Sequence, residues 1–333
     1  MSFHIETRKV QKTGGSSFII SLPKPWIEQH RIEKNDTLAI ISQPDGNLLI
    51  TPQLEREKLT KTKEIMTDDF QDENFLFRVL IGAYIMGFSI IIIRSSKKFE
   101  PHIKDCIREF IQVAIGPEIE EESDNFIKIR DLVNPKEMPF EKTIRRMYIL
   151  AGGMFTDSIN AFKTGNMKLA EEVIKSDNDV DRLHYLIMRQ VNMALSDIII
   201  YQKMDVTLEG AVNFQQISRF LERIADHAVK ISKNVLNLIN YSVDEKLKNE
   251  IEAASKLSLD LLNRSLDAWL QKNIVLANEN IEAIENLIST TEKISFNTNN
   301  VESPVAIGYI LESIRRTGEY AGDISEIIIN NLI

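Results

Sequence analysis

Three pairs of carboxylates recur in this sequence at one-turn helical spacing: Asp177 with Asp181, Glu222 with Asp226, and Glu319 with Asp323. The last two pairs share the frame Arg-x-x-Glu-x-x-x-Asp, with Arg219 and Arg316 at its head, 97 residues apart. Side chains four apart on a helix point the same way, and two like charges there weaken the helix slightly unless a cation sits between them. If the helices bearing Asp177/Asp181 and Glu222/Asp226 pack antiparallel, the four carboxylates make an oxygen-rich, partly exposed site suited to a hard or borderline cation. The same residues also read as solvated faces, with Arg219–Glu222 an ordinary i, i+3 ion pair. His184 and His227 adjoin the acids. Asp181-x-x-His184 has the carboxylate–histidine spacing of di-iron bundles, but such a centre needs two such pairs and two further glutamates, and only one pair is present. A fourth acidic copy is imperfect. In "LANENIEAIENLIS" the acids are Glu279, Glu282 and Glu285, and one alignment sets Asn278 and Glu282 opposite Asp177 and Asp181. No glycine-rich phosphate loop, Ser/His/Asp set or cysteine nucleophile appears, so an enzyme is not expected. His102, just after Pro101, reads as a solvated histidine near a helix start.

The elements that would position these acids come from the period of the apolar residues. From about 139 to the end the period is helical, giving helices near 139–163, 167–197, 206–240, 243–272, 274–296 and 302–332. Ile217, Leu221, Ile224, Ala228, Ile231, Val235 and Leu238 form one heptad seam, which a bundle buries, and Glu222 and Asp226 lie off it. Two sets of three helices with similar acids at matching places predict an internal duplication, with repeats at about 139–240 and 243–333. Residues 55–137 read as a small α/β segment: a charged helix or linker over 54–68, a helix, the strand "SIIIIR", the helix "EPHIKDCIREFIQVAI", and two strands around "GPEIEEESDNFIKIRDLV".

Residues 1–54 read differently. "TGGSS" is a turn, "FIISL" a strand, "KPWIEQHRI" one or two helical turns, and "PDG" between "DTLAIISQ" and "NLLITP" a hairpin signal. Four short strands bury too little surface to stand alone, so pairing with a second chain is expected. Arg8, Lys9, Lys12 and Lys24 face a single Glu6 over the first 24 residues, in a chain of net charge −9. That overall charge excludes a general nucleic-acid binder, although the front is locally basic. A dimerisation clip with a solvated basic edge fits the same residues. The single cysteine, Cys106, excludes a disulfide framework and points to a reducing cytosol. The longest apolar run, residues 79–93, is too short to span a bilayer, so a cytoplasmic chain that is not membrane-spanning is expected.

Two resemblances sharpen this. "RKVQKTGGSSFIISLPKPW", "IEKNDTL" and "GNLLITP" resemble the AbrB/SpoVT family of swapped-hairpin domains, which implies a homodimer and DNA binding by Arg8, Lys9 and Lys12. "AEEVIKSDNDVDRLHYLIMRQV", "ISRFLERIADHAVKISKNV" and "RRTGEYAGDI" are similar to the signature helices of the PhoU family, six-helix bundles of two repeats that regulate phosphate uptake. That resemblance covers about 195 residues. It implies metal ions on the acidic faces, held by Asp177, Asp181, Glu222, Asp226, Glu319 and Asp323, with iron, zinc, nickel, manganese or magnesium as candidates. It also implies phosphate transporter or sensor components as partners. The resemblance places the joining of the two domains in archaea. The fold expected is therefore mainly α: a swapped-hairpin β module (1–54), a small α/β segment (55–137), and a six-helix bundle (138–333). A regulator that docks on a transporter or sensor without touching DNA is the alternative.

Overall fold

The computed structural model describes residues 5–42, 46–52, 61–70, 72–133, 137–196, 200–201, 204, 206–296 and 303–333. Packing divides the chain into two compact units, Met1–Thr60 and Lys61–Ile333. In the first, β1 (Gln11–Thr13) and β2 (Ser17–Ile19) form one antiparallel hairpin, with Lys12 opposite Phe18. Gly14 and Gly15 turn it, at φ +59° and +88°. Helix α1 (Lys24–Gln29) starts behind Pro23. A second hairpin pairs β3 (Ala39–Ser42) with β4 (Leu48–Thr51). Two residues of the expected "PDG" turn, Pro44 and Asp45, lie outside the described residues. The two hairpins are separate two-stranded sheets, and no described residue of this unit is buried.

The second unit opens with β5 (Thr62–Met66). The charged helix or linker expected over 54–68 is, at 62–66, a strand. "TKEIM" has a single buried side chain, Ile65, too little for a legible pattern; its stability comes from parallel pairing with β6 (Ile90–Arg94) across helix α2 (Glu73–Ile85). Gly87, at φ +81°, separates α2 from β6, and a Cβ there would sit 3.0 Å from Met193. Helix α3 (Pro101–Val113) and the hairpin of β7 (Pro117–Glu122) and β8 (Phe126–Asp131) complete a four-stranded sheet of order β5-β6-β8-β7. Ile91, Ile93, Ile127 and Ile129 alternate onto the face that α2 and α3 cover, with Tyr84 and Phe110 in the same core.

The helical part follows: α4 (Phe140–Thr164), α5 (Met167–Ser196), α6 (Leu208–Asn237), α7 (Glu245–Gln271), α8 (Ile274–Glu282), α9 (Ile284–Phe296) and α10 (Pro304–Leu332). Asn166, Thr207, Asp244 and Asn273 cap α5 to α8 with side-chain oxygens that accept backbone N–H groups. The expected helix 274–296 is two, broken at Ala283. There α10 presents Gly318 and Gly322, and Leu287 and Ile284 fill the space their missing Cβ atoms leave. The seam from Ile217 to Leu238 is buried throughout, and one apolar core runs through both helical repeats. The α/β segment is fastened to this bundle. Arg189 of α5, 3% exposed, pairs with Asp131 of β8 at 2.6 Å, donates to the Tyr84 carbonyl and lies over the Tyr84 ring at 4.8 Å.

Candidate functional site

Helices α5 and α6 are neighbours, and a hydrogen bond of 3.0 Å between His184 Nδ1 and Ser218 Oγ fixes their register. Three and then four residues back from His184 come Asp181 and Asp177, and four by four on from Ser218 come Glu222 and Asp226, so the acids face one another as a ladder of four carboxylates across two antiparallel helices. All four hold their protons more tightly than free carboxylates do. Asp181 is pushed up to about 7, first by burial, then by Asp177, Glu222 and Asp226. Glu222 also rises to about 7, by burial and by Asp226, against the opposing pull of Arg223 and Arg219. Burial raises Asp177, with Asp226 adding to it, and burial raises Asp226 against Arg223 and Lys233. Tyr185, one turn beyond Asp181, feels the same field: burial first and then the four acids hold its hydroxyl up to about 12. Its ring packs against the α/β core, so the ladder ends where the α/β segment begins.

The histidines sit apart from this chemistry. His184 is committed to Ser218, and burial with Arg219 and Arg223 lowers it to about 4. His227 turns toward α10, its ring 5.8 Å from Tyr320. Burial, Lys230 and Arg316 bring it down to about 4.

The acids of α10 have a different fate. Glu319 accepts from Arg315 at 2.7 Å and from Arg316 at 2.8 Å. Asp323 is raised by burial and by Glu326, with Arg316 opposing. Across from them Asn278 donates to Glu282 at 2.9 Å, and Glu279 lies 3.4 Å from Arg264. In the second repeat Glu319 and Glu279 are thus held in ion pairs, and among the described residues Glu319 and Asp323 do not join a facing carboxylate pair. Among the described residues, no group of three or more His, Cys, Asp or Glu side chains is set to hold a metal ion as it stands. The chemistry of the first-repeat ladder still suits one: four oxygen donors from two rigid helices, under mutual repulsion that a cation would relieve.

In the amino-terminal unit Arg8, Lys9 and Lys12 are exposed. Lys12 lies in β1, whereas the Arg8 guanidinium is paired with Glu6.

Residues 144–235, from α4 to near the end of α6, match the model of the PhoU domain. The helical half thus carries a PhoU-domain match over its first three helices. Residues 11–58 match the model of MazE, the bacterial antitoxin of antidote–toxin recognition, and form a MazE/AbrB-like domain ahead of it. Two relatives of the PhoU domain are the phosphate-specific transport system accessory protein PhoU homolog 1 of Thermotoga maritima and the PhoU homolog of Rhizobium meliloti. The first is 23% identical over 195 residues, covering 56% of this chain and 82% of the relative. The second is 26% identical over 197 residues, covering 56% and 81%. A crystal structure of PhoU from Streptococcus pneumoniae is similar at 20% identity and a TM-score of 0.49, over 57% of this chain and 91% of that one. No helix among the described residues is long and apolar enough to cross a membrane.

Proposed function

We propose that this chain is a cytoplasmic regulator of phosphate uptake or signalling, not an enzyme. In this reading the PhoU domain binds metal ions or protein partners, and a dimeric amino-terminal domain binds DNA. The observation that carries it is the ladder Asp177/Asp181–Glu222/Asp226 in a chain whose other unit exposes Arg8, Lys9 and Lys12 and has no buried side chain among its described residues. The names of the relatives, accessory proteins of phosphate-specific transport, supply the process.

Asp177, Asp181, Glu222 and Asp226 would hold the cation, whose charge would let all four acids stay ionised. With His184 bound to Ser218 and His227 turned to Tyr320, the donors are oxygens, which favours manganese, magnesium or iron over zinc and nickel. Glu319 and Asp323 would hold a cation more weakly, because Arg315 and Arg316 already neutralise Glu319. The test is metal content and melting temperature of wild type against Asp181→Asn with Glu222→Gln. Equal metal in both proteins returns the ladder to a buried acidic face.

Lys and Arg contacts to phosphates dominate the affinity of so small a DNA-binding module. Replacing Arg8, Lys9 and Lys12 by Ala should weaken binding to all sequences alike and flatten its salt dependence. Unchanged DNA affinity in the triple variant would end that assignment. The pairing of Arg8 with Glu6 favours a second reading, in which the front only joins two chains and the PhoU domain docks on a phosphate transporter or sensor.

A further inference from the structure

Four helix ends meet around a cavity of about 160 Å³. Glu141 opens α4, Asn213 and Phe214 belong to the first turns of α6, Trp269 and Lys272 close α7, and Asn331 closes α10. The cavity therefore joins the two helical repeats.

Its wall joins the buried side chains of Ile217, Ile327 and Ile328 to two aromatic rings, Phe214 and Trp269, which are held by their neighbours. Phe214 stacks on Phe140 at 5.4 Å with the rings 7° apart, and meets Trp269 edge-on at 5.9 Å and 79°. Trp269 in turn stacks on Tyr148 at 6.5 Å, whose hydroxyl is tied to Ser265 at 3.2 Å. Phe214 and Trp269 are only partly buried, so ring surface is left for a guest. A cavity of roughly 150 Å³ with apolar walls takes up one benzene ring, which makes this one the size of a single ring.

The rim is polar and carries both signs. Asn213 Nδ2 donates to Asn331 Oδ1 at 2.9 Å, which leaves one amide oxygen and one amide NH₂ at the rim. Glu141 and Lys272 are both exposed, and neither has an opposite charge within 4.0 Å among the described residues. Lys272 sits at φ +50° and ψ +45°, the left-handed conformation at a helix end that glycine adopts at least cost. A long cationic side chain is thus carried at the rim in spite of backbone strain.

We propose that this cavity binds a small zwitterion with one aromatic ring, of the aromatic amino-acid type. The ring would lie against Trp269 and Phe214, the carboxylate would meet Lys272, and the ammonium would meet Glu141. This is independent of the metal and DNA readings, because none of its residues belongs to either.

The chain has two tryptophans, Trp26 and Trp269, so full-length protein carrying Trp26→Phe reports on the cavity by fluorescence. L-phenylalanine should change that signal saturably, with a dissociation constant of about 1 mM or tighter for so small a ligand. Phenylacetate, which lacks the ammonium, and phenethylamine, which lacks the carboxylate, should each bind about tenfold more weakly. Lys272→Gly should weaken phenylalanine binding by about tenfold while raising the melting temperature, since it removes the strain. Loss of binding in that variant cannot be loss of folding. No saturable signal with phenylalanine overturns the proposal. So does equal binding of the three probes, or unchanged phenylalanine affinity in Lys272→Gly.

Discussion

Asp181 keeps its proton to about pH 7 because its charged form would be half-buried among three other acids. An unfolded aspartate ionises near pH 4. Between those values the folded chain binds more protons than the unfolded one, so metal-free stability falls as pH rises from about 4 to about 7 and then levels off. Glu222, also raised to about 7, acts in the same direction. In chelator at pH 8, Asp181→Asn should therefore melt about 2–5 °C above wild type, as removing one buried repulsion does in a domain of this size. At pH 5 that difference should shrink toward zero, because wild-type Asp181 is then protonated. Calorimetry at the two pH values decides it, and an Asp181→Asn that melts at or below wild type at pH 8 removes the repulsion. The pairing of acids was legible in the sequence because one-turn spacing is a local property. The spacing of Arg315 and Arg316 to Glu319 was as local, but that this pair forms while Glu222 has Arg223 beside it at 3.8 Å depends on rotamers and neighbours. The turning of His227 away from Asp226 was hidden for the same reason: adjacent residues on a helix point about 100° apart, and only the neighbours decide which direction is the site.

At the scale of elements, α5 carries Asp177, Asp181, Tyr185 and Arg189 on one stripe, each four residues from the last. The acid ladder and the fastening of the α/β segment thus share a helix face. Removing one partner of a buried ion pair leaves the other unpaired, at a cost of about 3–5 kcal/mol. Arg189→Met should therefore lose that much in denaturant unfolding, and Arg189→Met with Asp131→Asn should recover part of it. If the single variant unfolds like wild type, the α/β segment is held by other contacts. A second test concerns the break at Ala283. Alanine is the better helix former by about 1 kcal/mol, yet a Cβ on Gly318 would run into Leu287, which is 1% exposed. Gly318→Ala should thus destabilise by about 1–3 kcal/mol. Gly152→Ala in α4, where the nearest atom would be 3.8 Å away, should be neutral or stabilising. Equal effects of the two would mean that α8 and α9 give way freely at the break. The sequence showed one helical period over 274–296, because both sides of Ala283 keep their apolar residues in phase. Only the close approach of α10 reveals the break. The strand β5 escaped for the opposite reason: its stability lies in pairing with β6, and "TKEIM" alone carries one buried side chain.

For the whole molecule, the two units differ in what holds them. Residues 61–333 enclose a continuous helical core and a second core under the sheet. The amino-terminal unit has two unconnected hairpins and exposes Phe18 at 70%, Ile40 and Leu48 at 65% and Ile20 at 54%. Two-stranded hairpins with their apolar faces in water are marginal at best, and a chain of about 50 residues cannot offset its conformational entropy without burying such side chains. A second copy would supply the missing surface with the same residues by symmetry. Residues 1–60 expressed alone should then be a dimer or unfolded, with a folded fraction that rises with concentration by mass action. Phe18→Ser with Leu48→Ser should push that fragment to the unfolded state and leave the melting of residues 61–333 untouched. Circular dichroism with analytical ultracentrifugation over a concentration series measures both. A folded, concentration-independent monomer of residues 1–60 would show that the hairpins close on each other, and the case for a two-chain front would end there.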